Sequence, residues 1–303
     1  MPAPRDTYVN PLLTDISVAY KNESFIFDQL FPRVMVNKET GTYFVMDKSN
    51  LRAPGDAKRS ELSRANRVAW GLTSASYSLT ERALETPITD RVMRNYSDPL
   101  VPKTTATNLV SDLLLLDAEK DLQATILASG APGLDENSSW STISTDIIGH
   151  VRTAKSSVQK NTGKKANTIV IGKPALDVLL NNTAFIDRVK YTTIATEQAL
   201  KNAIAGFFDI PTVLFADAIE NTAKEGQTDV LDYIWGDTVI VAYVERQPAL
   251  ESPCAGYTLT LENARYVDEW YEEAIKTTFV RANDFYDSKI VDPNAMYVFT
   301  DVV

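Results

Sequence analysis

ETGTYFVMDKSNLRAPGDAKRSELSRANRVAWGLTSASYSLT, residues 39–80, is the stretch on which the fold turns. From Lys48 to Arg67 it holds no Val, Ile, Phe, Tyr, Trp or Met, and only Leu51 and Leu62 as larger apolar residues. Such a segment cannot bury enough surface to hold itself against a core. Its flanks are different. Thr42 to Met46 is rich in β-favouring side chains, and on the return Val68, Trp70 and Leu72 alternate with Ala69, Gly71 and Thr73. The pattern reads as two strands joined by a long polar tip around Pro54-Gly55, each limb reaching on the order of 50 Å at ~3.3 Å per residue. A lone two-stranded ribbon is marginal in water, so a neighbouring molecule is expected to cover it. A plain surface loop is the alternative reading.

Charge separates this arm from the rest. Residues 47–67 carry six basic side chains against three acidic, whereas residues 251–303 carry ten acidic against four basic. The arm cations Arg52, Lys58, Arg59, Arg64 and Arg67, with Trp70 as an apolar anchor, are candidate contacts to another copy. The cluster Asp268, Glu269, Glu272 and Glu273 is the candidate acceptor. Taken alone, that acidic cluster also reads as a solvated face. Each exposed pair is worth only about 0–1 kcal/mol, so repetition is needed for it to matter.

Working outward, residues 1–38 read as an N-terminal arm broken by Pro2, Pro4 and Pro11, with a short amphipathic piece from about 13 to 30. After a strand region from 77 to 92 and the breakers Pro99 and Pro102, a helix is expected over 107–128. Its apolar stripe would be Leu109, Leu113, Leu116 and Ile126, with Val110, Leu114 and Leu127 alongside. Residues 141–254 alternate helix and strand, and residues 255–303 return to strands that should rejoin the earlier β region. No internal repeat is visible.

Composition sets further bounds. The 303 residues suggest about two domains, and a formal net charge of −10 argues against broad electrostatic adhesion to nucleic acid or anionic membrane. No stretch approaches the roughly 18 apolar residues of a membrane span, and the N-terminus lacks a signal-peptide pattern. Cys254 is the one cysteine, so an intrachain disulfide is excluded.

There is no nucleophile elbow, phosphate loop or dinucleotide fingerprint. His150, the single histidine, falls in an amphipathic helix and reads as a packing residue. Catalytic, cofactor and metal residues are therefore all expected to be none. Trp235 and Trp270 fall on strand patterns and read as core or interface residues.

In this order of elements, the phrases NTIVIGKPALDVLLNN (167–182), GFFDIPTVLFAD (206–217), IWGDTVIVAY (234–243) and VRANDFYDSKIVDPNAMYVFTDV (280–302) resemble the major capsid protein of tailed bacteriophages, the HK97-like fold. The resemblance spans essentially the whole chain. It implies an α+β chain with an N-terminal arm (1–38), an E-loop β-hairpin (39–80) and a first part of the P-domain (81–140) containing the spine helix. An α/β A-domain (141–254) and P-domain return strands (255–303) complete it. It further implies pentamers and hexamers closing into an icosahedral shell around double-stranded DNA without sequence-specific binding. A separate scaffolding protein, a portal and a decoration protein are its implied partners, and assembly in the host cytoplasm its setting. Some members cross-link a Lys of the E-loop to an Asn. Lys48 and Lys58 lie in the arm and Asn283 and Asn294 in the tail, with no motif selecting a reacting set. An encapsulin-like nanocompartment shell shares this architecture and is the second reading; a soluble α+β enzyme is the third.

Overall fold

The computed structural model describes residues 8–19, 25–46, 52–53, 57–59, 61, 64–65, 67–68, 71–95, 100–189, 196–224, 226–247 and 253–303. Two sheets and one long helix organise them. The first sheet comprises β1 (Tyr8–Val9), β2 (Arg33–Val36), β5 (Thr80–Thr89), β12 (Gly256–Leu261), β13 (Tyr266–Glu272) and β14 (Thr277–Ile290). Strand β14 is its axis. On one side β5 pairs from Thr277↔Thr89 to Tyr286↔Thr80; on the other, β13 and then β12 share the length of the strand. Strand β2 runs parallel to β12, and β1 covers the outer edge of β13. The short helix α3 (Asp90–Asn95) follows β5 directly.

Helix α4 (Leu100–Leu127) packs across this sheet. It starts seven residues before the expected position 107. Pro102 falls in the first turn, where its missing N–H has no intrahelical partner to lose, so it opens the helix and does not break it. The buried face also differs from expectation. Ala106, Val110 and Leu114 pack with Leu13, Ile88, Val267, Val280 and Ala282, while Leu109, Leu113 and Leu127 are exposed. Four consecutive leucines, 113–116, wrap most of the circumference, so apolar spacing alone could not orient the helix.

The second sheet has the order β6 (Gly133–Asp135), β15 (Met296–Thr300), β11 (Val239–Ala242), β7 (Thr168–Gly172), β8 (Thr212–Ala216). Helices α5 (Ile147–Thr162), α6 (Lys173–Asn181), α7 (Thr183–Val189) and α8 (Glu197–Phe208) cover it. Asp146 caps α5 by accepting from the Gly149 N–H, and Gly163 ends it at φ 73°, a left-handed turn that favours glycine. Val151, Val158, Ile169, Ile171, Leu179, Val241 and Phe299 form the core between helices and sheet.

Strand β15 corrects the expectation that residues 255–303 all rejoin the first sheet. Pro293–Ala295 forms a 3-10 turn, pinned by Asp292 accepting from the Asn294 N–H, and it redirects the chain after β14. Met296, Val298 and Phe299 then bury in the α/β sheet, paired with β11 from Val239↔Phe299 to Ala242↔Met296. The strand pattern read at Trp235 is likewise displaced. Strand β10 (Leu231–Tyr233) pairs with β9 (Ile219–Asn221) in a small hairpin, and Trp235 lies buried in the turn that follows.

The N-terminal stretch is not an arm over its described part. Asn10 caps α1 (Pro11–Ala19), and Leu13 is fully buried. Phe25 to Phe31, including α2 (Phe27–Leu30), is an apolar knot in the main core beside Leu115, Leu122 and Trp235. The single amphipathic piece expected from about 13 to 30 is thus two short helices among the described residues.

The hairpin stands apart from both sheets. Strands β3 (Thr40–Met46) and β4 (Leu72–Ser78) pair antiparallel from Thr40↔Ser78 to Met46↔Leu72. Tyr43 and Tyr77 anchor its base beside Tyr257 and Leu259, and the Tyr43 hydroxyl donates to the Ile290 carbonyl at 3.2 Å. A Cβ at Gly41 would lie 2.7 Å from the Tyr77 hydroxyl, so glycine lets that ring cross the ribbon. Away from the base, Phe44 on the opposite face is 47% exposed.

Candidate assembly interface

The arm cations sit in the segment beyond the paired limbs. Arg52, Lys58, Arg59, Arg64 and Arg67 are all exposed, as is Val68 beside them. Trp70 and Lys48 lie outside the described residues. A segment with five exposed cations and no apolar cover is suited to lie on a negative surface.

The acidic cluster divides. Because β13 alternates its side chains, Asp268 and Glu269 point to opposite faces of the sheet, which a linear cluster conceals. Asp268 is buried and accepts from Arg281 Nη2 at 2.7 Å and from Asn283 Nδ2 at 3.2 Å. The Arg281 guanidinium also lies 5.0 Å over the Trp270 ring, which stacks on Phe279. Glu269 accepts from Lys103 Nζ of α4 at 2.9 Å. Both carboxylates are consumed within their own subunit, which removes them as acceptors for the arm. Glu272 is half-buried and Glu273 exposed. Asn283, one of the tail asparagines weighed for cross-linking, is fully buried on Asp268.

Three polar joints escaped the sequence reading. Glu119, fully buried in the middle of α4, accepts at Oε2 from the N–H groups of Ile26 and Phe27, at 3.1 and 2.9 Å, and at Oε1 from the Trp235 indole. It ties the N-terminal knot, the long helix and the α/β unit at one point. Burial pushes its carboxyl up to about 7, against the pull of the three donors. Asp284 is held between Arg33 and Arg265, and Arg82 reaches from β5 to Asp117 and Asp121 on α4. These partners stand 19 to 251 residues apart wherever a hydrogen bond joins them, so no local pattern announces them.

His150 packs as a structural residue. The Trp140 indole donates to its Nδ1 at 3.1 Å, and Glu136 Oε1 lies 2.9 Å from the same nitrogen. Cys254 is buried, and burial pushes its thiol up, away from nucleophilic character. Among the described residues no group of three or more His, Cys, Asp or Glu is arranged to hold a metal, and no helix is long and apolar enough to cross a membrane.

No protein-family profile matches the chain. Two curated relatives do. The major capsid protein of Burkholderia phage BcepMu is 27% identical over 308 aligned residues, covering 97% of this chain and 96% of the relative. That of Pseudomonas phage JBD67 is 23% identical over 245, covering 78% of each. Among solved structures, a phage-related protein of Bordetella bronchiseptica matches at a TM-score of 0.77 and 21% identity over 98% of both chains. Microbacterium phage Oxtober96 matches at 0.61 and 10%, covering 99% of this chain and 95% of that one. An encapsulin complex of Synechococcus elongatus matches at 0.55 and 8%, covering 90% and 86%. Over nearly its whole length the chain is thus similar to proteins named as major capsid proteins of bacteriophages, and its fold is the HK97-like fold of phage capsids.

Proposed function

We propose that this chain assembles into pentamers and hexamers of an icosahedral phage head that encloses double-stranded DNA. The observation that carries this is the projecting hairpin, whose base is anchored by Tyr43 and Tyr77 and whose cationic segment has no core of its own. Such a ribbon becomes stable when a neighbour covers it. With a net charge of −10 on the whole chain and a positive excess over residues 47–67, each copy offers a positive arm to a negative neighbour. Many modest contacts closing on themselves then reinforce one another. Acidic bodies do not grip phosphate, so packaged DNA is surrounded and not bound.

The working division is an E-loop over 39–80, a P-domain of the first sheet with α4, and an A-domain of the second sheet, to which residues 296–300 belong. The role is structural with no catalysis and no cofactor. A separate scaffolding protein, a portal and a decoration protein are its partners, with assembly in the host cytoplasm.

Electron microscopy of the purified chain, alone and co-expressed with the products of adjacent genes, tests this. Uniform round shells with nuclease-protected DNA are the expected result. Shells filled with a protein cargo would move the chain to the nanocompartment reading, which the encapsulin likeness makes specific. Small particles under every condition would sink both.

A further inference from the structure

At the end of the first sheet farthest from β12, α3 and the four-residue turn between β13 and β14 enclose an open hollow of about 470 Å³. Arg91, Arg94 and Lys276 line it, with Ile275 between them. The geometry of this end is fixed internally. The Asp90 N–H donates to the Lys276 carbonyl at 3.1 Å, and the Tyr271 hydroxyl donates to Asp90 Oδ2 at 3.0 Å. The one carboxylate of the hollow is thus engaged by Tyr271. Arg91, Arg94 and Lys276 form no ion pair with another described residue.

Glu272 closes β13 and Glu273 opens the same turn, presenting two carboxylates that likewise have no described ion-pair partner. Val92, Tyr271 and Ile275 are 42%, 48% and 56% exposed around them. One small surface therefore carries a basic half, an acidic half and an apolar centre. Such a surface complements a rotated copy of itself.

We propose that this sheet end is a self-complementary contact between copies of the chain. Glu272 and Glu273 of one copy enter the Arg91–Arg94–Lys276 hollow of the next, over the apolar contacts of Val92 and Ile275. The occupant is a second copy because the acidic counterpart stands on the same rigid hairpin, and the charges match without any further molecule. This gives Glu272 and Glu273 donors other than the arm cations. It rests on the reading of the chain as a repeating subunit.

The test is a charge swap. Three full-length variants are compared with wild type: Arg91→Glu with Arg94→Glu, Glu272→Arg with Glu273→Arg, and all four together. Thermal melts of the unassembled chains confirm that each folds, and sedimentation with electron microscopy reads assembly. Each double variant is expected to lower shell yield by roughly tenfold or more, since like charges then face each other. The fourfold variant is expected to recover it, which loss of folding in one double variant would not mimic. Double variants that assemble like wild type, or a fourfold variant that folds but stays unassembled, overturn the proposal. So does a salt-sensitive gel shift of duplex DNA by the wild-type chain that the Arg91→Glu, Arg94→Glu variant abolishes, since the hollow would then serve nucleic acid. A wild type that never associates overturns the capsid reading itself, and this contact with it.

Discussion

Strands β7 and β11 and strands β3 and β4 are all drawn from β-favouring residues, yet they lead opposite lives. Every side chain of β7 and β11 is buried, with helices on one side of their sheet and the apolar knot of Phe25 to Phe31 and α4 on the other. In the hairpin, half-buried side chains alternate with exposed ones, and even Phe44 faces solvent. The difference lies in what covers the strands. The α/β unit finds its cover within the chain; the hairpin finds it only at the base, where Tyr43 and Tyr77 meet Tyr257 and Leu259. Body and hairpin therefore differ in their cover: the first is covered by its own chain, the second by its own chain at the base alone, and the proposed assembly supplies the rest from a neighbour.

That contrast breaks if core and arm substitutions have the same signature. The largest effect on subunit stability is expected from Phe299→Ala, which removes a ring packed 5.8 Å from Trp140 and 5.0 Å from Tyr297 in a fully buried layer. A loss of about 3–5 kcal/mol should appear in urea unfolding of the unassembled chain. A loss under ~1 kcal/mol would mean that the α/β unit also leans on neighbours.

Next comes Glu119, whose carboxyl titrates at about 7 in the folded chain against an ordinary 4.5. A raised folded value means the native state binds the proton more tightly. The Glu119 contribution is then complete below 4.5 and is lost as pH rises through about 7. The unfolding free energy of wild type minus that of Glu119→Gln should fall by about 3 kcal/mol across this window. A difference that stays level with pH would rule out Glu119 as the source. Asp28, itself held by Arg33, acts in the same direction by opposing a second negative charge.

The smallest effect on stability belongs to the arm. Arg52→Glu with Arg64→Glu should leave the unfolding free energy within about 0.5 kcal/mol, because neither side chain is covered in the single chain. The same variant should fail to form shells under the electron microscope. If it assembles normally, the hairpin cations are solvated charges and the contrast must rest on the apolar ribbon alone.

What could be read in the sequence follows the same division. The hairpin was legible because twenty residues without a large β-branched or aromatic side chain leave few alternatives. The existence of α4 was legible from its length and polarity, but its face was not, since leucines 113–116 circle the axis. Strand β15 was placed in the wrong sheet because a 3-10 turn at Pro293 steers the chain, and its direction is a tertiary fact. Asp268 and Glu269 looked like one acidic patch until strand alternation sent them to Arg281 and to Lys103. The Glu119 joint left no trace at all, since its donors are two backbone N–H groups some 90 residues upstream and an indole 116 residues downstream.

Strand β15 also sets an order of events. It lies between β6 and β11, joining segments near positions 133 and 239 to one near 298. Until residues 296–300 are made and threaded into that gap, β11 has an open edge and β6 has nothing to pair with. The Trp140 turn, whose N–H donates to the Val302 carbonyl, has no seat either. Closing contacts across more than a hundred residues is slow, and it comes late in synthesis. A nascent copy therefore lacks its finished α/β unit, and until Tyr257, Leu259 and Ile290 have followed, its hairpin lacks its seat as well. Strand β15 acts as a clasp: the α/β unit closes only when residues 296–300 have paired with both β6 and β11.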